Sequence, residues 1–269
     1  MRALSVATFV FLFFPPNMSF AESNSTQGFI AVGPAVTPGF EGSEDYKIAP
    51  LIAGRVQRQE YYLEIQGTRA RANLLPQRFF SLNDSLAFQA GPTLGYRFGR
   101  DDVENARVDS LRDVDAAIEV GGFVALQATG VFRERDALTG RVEAVSDASN
   151  AHDGYLVTLR GSYATPVGQS WRIGFSVDST YVSDEYADTY FSIDTDNMAR
   201  SGLGVFDAGG GFKDVGLDLS LLYSVTEHWG VMSFVRASRL LGDAADSPIV
   251  DGEGSANQFF GGLAVSYLF

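Results

Sequence analysis

Apolar and polar residues alternate along most of this chain with a period of two, not the 3.6 of a helix. From Trp171 the odd positions read Trp171, Ile173, Phe175, Val177, Ser179 and Tyr181, against Arg172, Gly174, Ser176, Asp178 and Thr180. The stretch from Val215 sets Val215, Leu217, Leu219, Leu221, Tyr223 and Val225 against Gly216, Asp218, Ser220, Leu222 and Ser224, and a third runs from Leu86 to Phe98. Such alternation puts one set on each face of a β-strand. Each stretch outruns the five or six residues usual in globular strands and meets the roughly 9 to 11 that a tilted strand needs to cross a bilayer.

Reading every such segment gives an all-β fold, a transmembrane antiparallel up-and-down barrel of 12 strands, with 10 to 14 as the range. The segments are 28–37, 46–57, 60–70, 85–98, 115–127, 131–145, 154–165, 171–182, 202–212, 214–225, 229–240 and 258–269. An even number is expected of a single-chain bacterial barrel. Two features sit badly with this count. Segment 131–145 carries Arg133, Glu134, Arg135, Asp136, Arg141 and Glu143, so its alternation is poor, and short and long connections do not sort cleanly to opposite ends. The rival architecture is a soluble sandwich or small secreted barrel, which would use shorter strands.

The N-terminus indicates export. Arg2, the apolar run Ala3–Phe14, Pro15-Pro16 and then Ser19-Phe20-Ala21 have the layout of a signal peptide cleaved after Ala21, leaving a barrel domain from 22 to 269. The apolar run is too short for a membrane-spanning helix, which needs about 20 residues. The chain has no Cys, which removes disulfides, thiol catalysis and Cys-type zinc sites. A net charge of −13 argues against nucleic acid as a partner.

At the other end Gln258–Phe269 places Phe259, Leu263, Val265, Tyr267 and Phe269 on one face. The terminal aromatics Tyr267 and Phe269 resemble the signal read by the outer-membrane barrel assembly machinery, and amphipathic rings favour the membrane interface. Six charges fall on inward positions: Arg97, Arg160, Arg172, Asp178, Asp218 and Arg236. Opposed inside a narrow barrel they would seal it; unpaired, they would favour ions. A barrel of about eight strands fills with side chains and one of 16 or more leaves a channel, so twelve lies between.

Catalytic readings are weak. The two histidines are His152, before the turn signal Asp153-Gly154, and His228, in a tight joint, and no G-x-S-x-G elbow occurs. Acid clusters such as Asp184, Glu185 and Asp188 lack calcium-loop spacing and read as solvated loop charge, so neither metal nor cofactor is expected. The segment GDAADSPIV holds Gly242, Asp243, Asp246, Ser247 and Pro248. The expectation is Asx-type turns at Asp243 and Asp246, with Pro248 ending the turn. Such a loop could serve as a rigid lid on the barrel mouth or as a contact surface for a partner.

Several connections together are similar to the MipA/OmpV family of MltA-interacting proteins. They are Phe40–Tyr46 (FEGSEDY), Gly95–Arg100 (GYRFGR) followed by Leu111–Asp115, His152-Asp153-Gly154, Tyr190–Ile193 with Ala199–Leu203, Gly242–Val250, and Tyr267-Leu268-Phe269. They follow one another in the family's order over nearly the whole mature chain, with Ser192 standing where Gly is usual. The resemblance implies an outer-membrane protein in contact with lipid bilayer and lipopolysaccharide. It implies a scaffold joining a lytic transglycosylase to a penicillin-binding protein, since the type member has that role. Relatives are associated with adhesion, osmotic response and antibiotic susceptibility. A small-solute channel, from the alternating polar interior, and a surface adhesin, from the acidic loops, are the other readings.

Overall fold

A computed structural model describes residues 25–75 and 85–269, so the expected leader at 1–21 and the start of the mature chain lie outside the described residues. Twelve strands form one closed antiparallel barrel. They are β1 (Thr26–Pro38), β2 (Tyr46–Arg58), β3 (Tyr61–Gln66), β4 (Arg69–Asn73), β5 (Leu86–Arg97) and β6 (Ala117–Thr129). Then come β7 (Ala137–Asp147), β8 (Tyr155–Val167), β9 (Trp171–Val182), β10 (Gly211–Ser224), β11 (Trp229–Leu240) and β12 (Asn257–Leu268). Each pairs with its sequence neighbours, and β12 closes on β1. Among the described residues five short helices lie in the connections: α1 (Ala106–Asp109), α2 (Asp184–Phe191), α3 (Thr195–Ser201), α4 (Gly242–Asp246) and α5 (Pro248–Asp251). Among the described residues no helix is long and apolar enough to cross a membrane.

The outward face carries the apolar set. Ile30, Val32, Leu63, Leu94, Val124, Leu159, Phe175, Leu217, Leu219, Val235 and Leu263 are all exposed on the outer wall, where lipid takes the place of a core. Aromatics collect at both ends of this band. Trp171 meets Tyr223 with ring centroids 4.6 Å apart, and Trp229 meets Tyr267 at 5.0 Å, at the end of the barrel where β1 starts and β12 finishes. At the opposite end Tyr181 packs with Tyr155 at 6.5 Å and with Phe212 at 5.7 Å. Two girdles at the depths of the two interfaces are the signature of a membrane barrel.

The number of strands agrees with the expectation, but the strands are not the same twelve. Segment 60–70 is two elements, because Gly67-Thr68 makes a two-residue turn between Gln66 and Arg69, with Gly67 at φ 56°. The turn flips the inward parity from the even residues Tyr62, Glu64 and Gln66 to the odd residues Arg69, Arg71 and Asn73. Segment 202–212 is mostly not a strand; it is a loop braced by an isolated bridge between Ile193 and Phe206, and its last residues open β10. Segment 131–145 splits into a turn, 131–136, and β7, whose inward Thr139, Arg141 and Glu143 alternate cleanly with Leu138, Gly140, Val142 and Ala144. With these corrections the connections sort only in part. On the side where β1 starts and β12 ends, the links β2–β3, β6–β7, β8–β9 and β10–β11 have seven residues or fewer but β4–β5 has twelve. The three longest connections, β5–β6, β9–β10 and β11–β12, are all on the opposite side and contain the helices.

The β3–β4 hairpin is half the height of its neighbours. β3 pairs with β2 from Ala53 to Arg58, and β4 pairs with β5 only through Arg69–Arg71. Above the hairpin, Tyr46–Leu51 of β2 has a strand partner on β1 alone. The Gly67 N–H donates to the Ile52 carbonyl at 2.8 Å, so by strand alternation Pro50 turns its backbone to the same free edge. Proline suits that place because it leaves no unpaired N–H there.

Candidate functional site

The inside of the barrel has two unlike walls. On β1, β2, β11 and β12 most inward positions are apolar, Arg55, Arg236, Gln258 and Ser266 being exceptions: Phe29, Ala31, Ala35, Leu51, Ala53, Met232, Phe234, Phe260 and Ala264 pack together, with Phe234 stacked on Phe260 at 5.1 Å. The expectation of a polar lumen therefore holds only for the rest of the circumference. Small Ala residues on β1 and β2 leave room for the aromatic rings opposite, so this wall is a packed core.

The other wall is a belt of buried ion pairs. Five arginines (Arg55, Arg69, Arg71, Arg97 and Arg141) face three glutamates (Glu64, Glu119 and Glu143). Glu143 accepts from Arg69 Nη1 at 2.6 Å, from Arg71 Nη2 at 3.1 Å and Nε, and from Thr93 Oγ1 at 3.2 Å. Glu119 accepts from Arg97 Nε at 2.7 Å and from Arg69 Nη2. A second group is more regular. Asp178 and Asp218 sit between Arg160 and Arg236, with Arg160 Nη2 2.7 Å from Asp178 and 3.1 Å from Asp218. Arg236 Nη1 lies 2.7 Å from Asp178 and 3.1 Å from Asp218. Carboxylates shared between guanidinium forks are among the strongest charge-assisted contacts, and burial raises the cost of breaking them.

Of the six inward charges expected from the sequence, Arg160, Asp178, Asp218 and Arg236 thus form one cluster, and Arg97 belongs to the other. Arg172 stands apart on β9, half-buried, with no ion pair among the described residues. Sequence reasoning missed Arg55, Glu64, Arg69, Arg71, Glu119, Arg141 and Glu143. The strand parity of β7 would have shown two of them, had the turn at 131–136 been separated from the strand. Lys213 had no such signal. A β-bulge shifts the β9–β10 register between Phe212 and Asp214, so Lys213 and Asp214 both turn inward. There Lys213 Nζ contacts Glu41 and lies 2.6 Å from Asp214. Burial works against the charge of Glu41, yet Lys213 and Arg97 hold its carboxyl below the usual carboxylate range.

Over this belt the long connections fold into a lid with its own core. Tyr186, Phe191, Ile193, Ile249 and Val250 are fully buried within it, and Phe40, Val108, Leu111 and Leu203 nearly so. The segment Gly242–Val250 is helical and central to this packing, and it differs from its expected turn chemistry. The Asp243 carboxylate accepts the Gly209 N–H at 2.8 Å across the lid, not its own backbone. Pro248 opens α5 at its first turn, where a missing N–H costs nothing, and does not end a turn. Ser247 caps that helix and its hydroxyl donates to the Phe191 carbonyl at 2.6 Å. Gly242 adopts φ 53°, and Asp246 ends α4. His152 lies under the lid, edge-on to Tyr186 at 5.1 Å, and its Nδ1 accepts the Gly154 N–H at 3.1 Å.

At the terminal end Tyr267 and Phe269 lie on the lipid face, stacked at 6.4 Å. The Phe269 backbone makes two hydrogen bonds to Gly28, at 2.8 and 2.9 Å, which complete the seam between β12 and β1. The turn before β7 is similarly ordered. The Asp136 carboxylate accepts the N–H groups of Val131, Phe132 and Arg133 at 2.7, 3.0 and 2.9 Å, and the Tyr163 hydroxyl at 2.9 Å.

The family model for MltA-interacting protein MipA matches residues 30–269. The chain belongs to the MipA family. Among curated relatives of this MipA-family barrel, outer membrane protein OmpV of Vibrio cholerae is 32% identical over 123 residues, 46% of each chain. Outer membrane protein Omp26La of Vibrio anguillarum is 30% identical over 123 residues, again 46% of each. The match thus spans about half the length of these relatives. The barrel also superposes on the COG4313 outer membrane channel of Pseudomonas putida F1, with TM-score 0.48 and 13% identity, covering 96% of this chain and 100% of that one. The protein is an outer-membrane β-barrel, a class built with short periplasmic turns and longer extracellular loops.

Proposed function

We propose that this barrel is a non-enzymatic docking protein for peptidoglycan-modifying enzymes, held in the outer membrane with its periplasmic rim as the working face. The observation that carries the reading is the filled interior. A lumen occupied by interlocked ion pairs and an apolar core, under a packed lid, favours a rigid body over a diffusion pore. The family's description as MltA-interacting supports a lytic transglycosylase as the class of partner, and the proposal adds a penicillin-binding protein as the second member.

The 130–136 turn is the part of the periplasmic rim best suited to contact. It is braced by Asp136 and presents Phe132, 73% exposed, flanked by Arg133, Glu134 and Arg135. An exposed aromatic beside arginines is a common anchor of protein interfaces. Crosslinking in cells followed by purification of the tagged barrel should recover a lytic transglycosylase, and Phe132→Asp should reduce that recovery. Clean absence of any transglycosylase or penicillin-binding protein after crosslinking would sink the proposal. Planar bilayers containing the folded protein should stay silent; steady conductance steps would instead favour the channel.

A further inference from the structure

Between the charge belt and the lid lies a cavity of about 120 Å³, walled by Arg97, Arg100, Lys213, Arg236, Glu41 and Tyr190 among others. Most of its cations are already matched. Arg97 pairs with Glu119, Lys213 with Glu41 and Asp214, and Arg236 with Asp178 and Asp218.

Arg100 is the exception. It follows β5, fixed by a backbone bridge to Val114 with hydrogen bonds of 2.9 and 3.0 Å, and only 8% of it is exposed. Its Nη1 donates to the Tyr190 carbonyl at 2.8 Å, while its Nε has no hydrogen-bond partner. Among the described residues it makes no ion pair; Asp113 acts on it only from a distance. Burial without a counter-charge lowers its pKa to about 10. The Tyr190 hydroxyl, on a side chain 7% exposed, is also buried with no partner. Buried guanidinium groups and hydroxyls are normally satisfied, so an orphaned pair on one cavity calls for a missing acceptor.

We propose that this cavity is a binding site for a small oxyanion, a carboxylate or phosphate group, held by the Arg100 guanidinium with the Tyr190 hydroxyl donating beside it. The planar fork of arginine fits two oxygens of either anion. The volume admits a group of a few heavy atoms, so a larger ligand would leave its remainder outside. This site is at the lidded end and does not depend on periplasmic docking, so either reading can fail without the other.

The test is titration of the folded barrel in detergent and chloride-free buffer with inorganic phosphate and, separately, acetate, followed by calorimetry. Binding of at least one anion with a Kd of about 1 mM or tighter is expected. Arg100→Met should weaken it by about tenfold or more, Tyr190→Phe by less, and Arg100→Lys should retain part of it. Arg100→Met leaves no carboxylate unpaired, so the heat-modifiable gel shift of the folded barrel should persist in it. A third titration with a short-chain phosphatidic acid distinguishes the source. Tighter binding than inorganic phosphate assigns the site to a lipid headgroup, and weaker binding assigns it to a free solute. Binding of neither phosphate nor acetate, or equal binding by the wild type and Arg100→Met, would overturn the proposal.

Discussion

Replacing Glu143 by Gln tests whether the lumen is a dry ion-pair core. The carboxylate is 4% exposed and serves both Arg69 and Arg71, so the substitution leaves five arginines facing two glutamates. At a charge separation of about 4 Å and an effective dielectric constant near 20, each lost attraction is worth about 4 kcal/mol. Burying the carboxylate itself costs several kcal/mol, and that cost disappears with its charge, while the Gln oxygen still accepts one bond. The net expectation is the loss typical of breaking a buried pair on one side, about 3–5 kcal/mol. The assay is urea unfolding of the refolded barrel in lipid vesicles. The fluorescence of the two tryptophans reports it, both in the aromatic girdle beside the β8–β9 and β10–β11 turns. Adding Arg71→Met should recover part of the loss, because the double variant buries one unmatched cation fewer. A cost below about 1 kcal/mol, the range of solvated surface pairs, would show that water fills the belt and would refute the sealed lumen.

Asp136→Ala should destabilise the barrel by about 2–3 kcal/mol, since it orphans three backbone N–H groups and the Tyr163 hydroxyl, and the same urea transition measures it. Burial opposes the charge of Asp136, but those hydrogen bonds hold its pKa below the ordinary carboxylate value. Its contribution is therefore complete above the ordinary value and is lost as pH falls through the lowered one; constant stability of the wild type relative to Asp136→Ala across that acid range would count against this. Deleting Phe269 removes two backbone hydrogen bonds to Gly28 and should cost about 1–3 kcal/mol, with less heat-modifiable protein in the outer-membrane fraction. Gly33→Ala would put a Cβ 1.9 Å from the Leu263 carbonyl oxygen across the β1–β12 seam. It should cost at least the ~1–3 kcal/mol of overpacking, and an unchanged urea midpoint would refute that crowding.

The parity of the strands was legible because lipid selects apolar residues at every outward position regardless of what the lumen holds. Leu217, Leu219 and Phe175 show it on the outer face, and the register of β8 to β11 follows directly. Boundaries were less legible. The Gly67-Thr68 turn keeps the alternation going on both sides, so the period alone reads β3 and β4 as one strand. The loop before β10 alternates by coincidence, since Leu203 and Ala208 are buried under the lid and not against a strand neighbour.

Sequence alone determined the membrane barrel, its antiparallel order and four members of one ion-pair cluster, since these depend on local period and on chain order. Which charges meet was decided only by the closed barrel. Arg71 and Glu143 are far apart in the chain, and their meeting depends on the half-height hairpin and on strand stagger. The inward turn of Lys213 comes from a bulge that no local pattern marks. The lid that buries Ile249 and leaves Arg100 without a counter-charge is assembled from four separate loops, and only their packing brings them together.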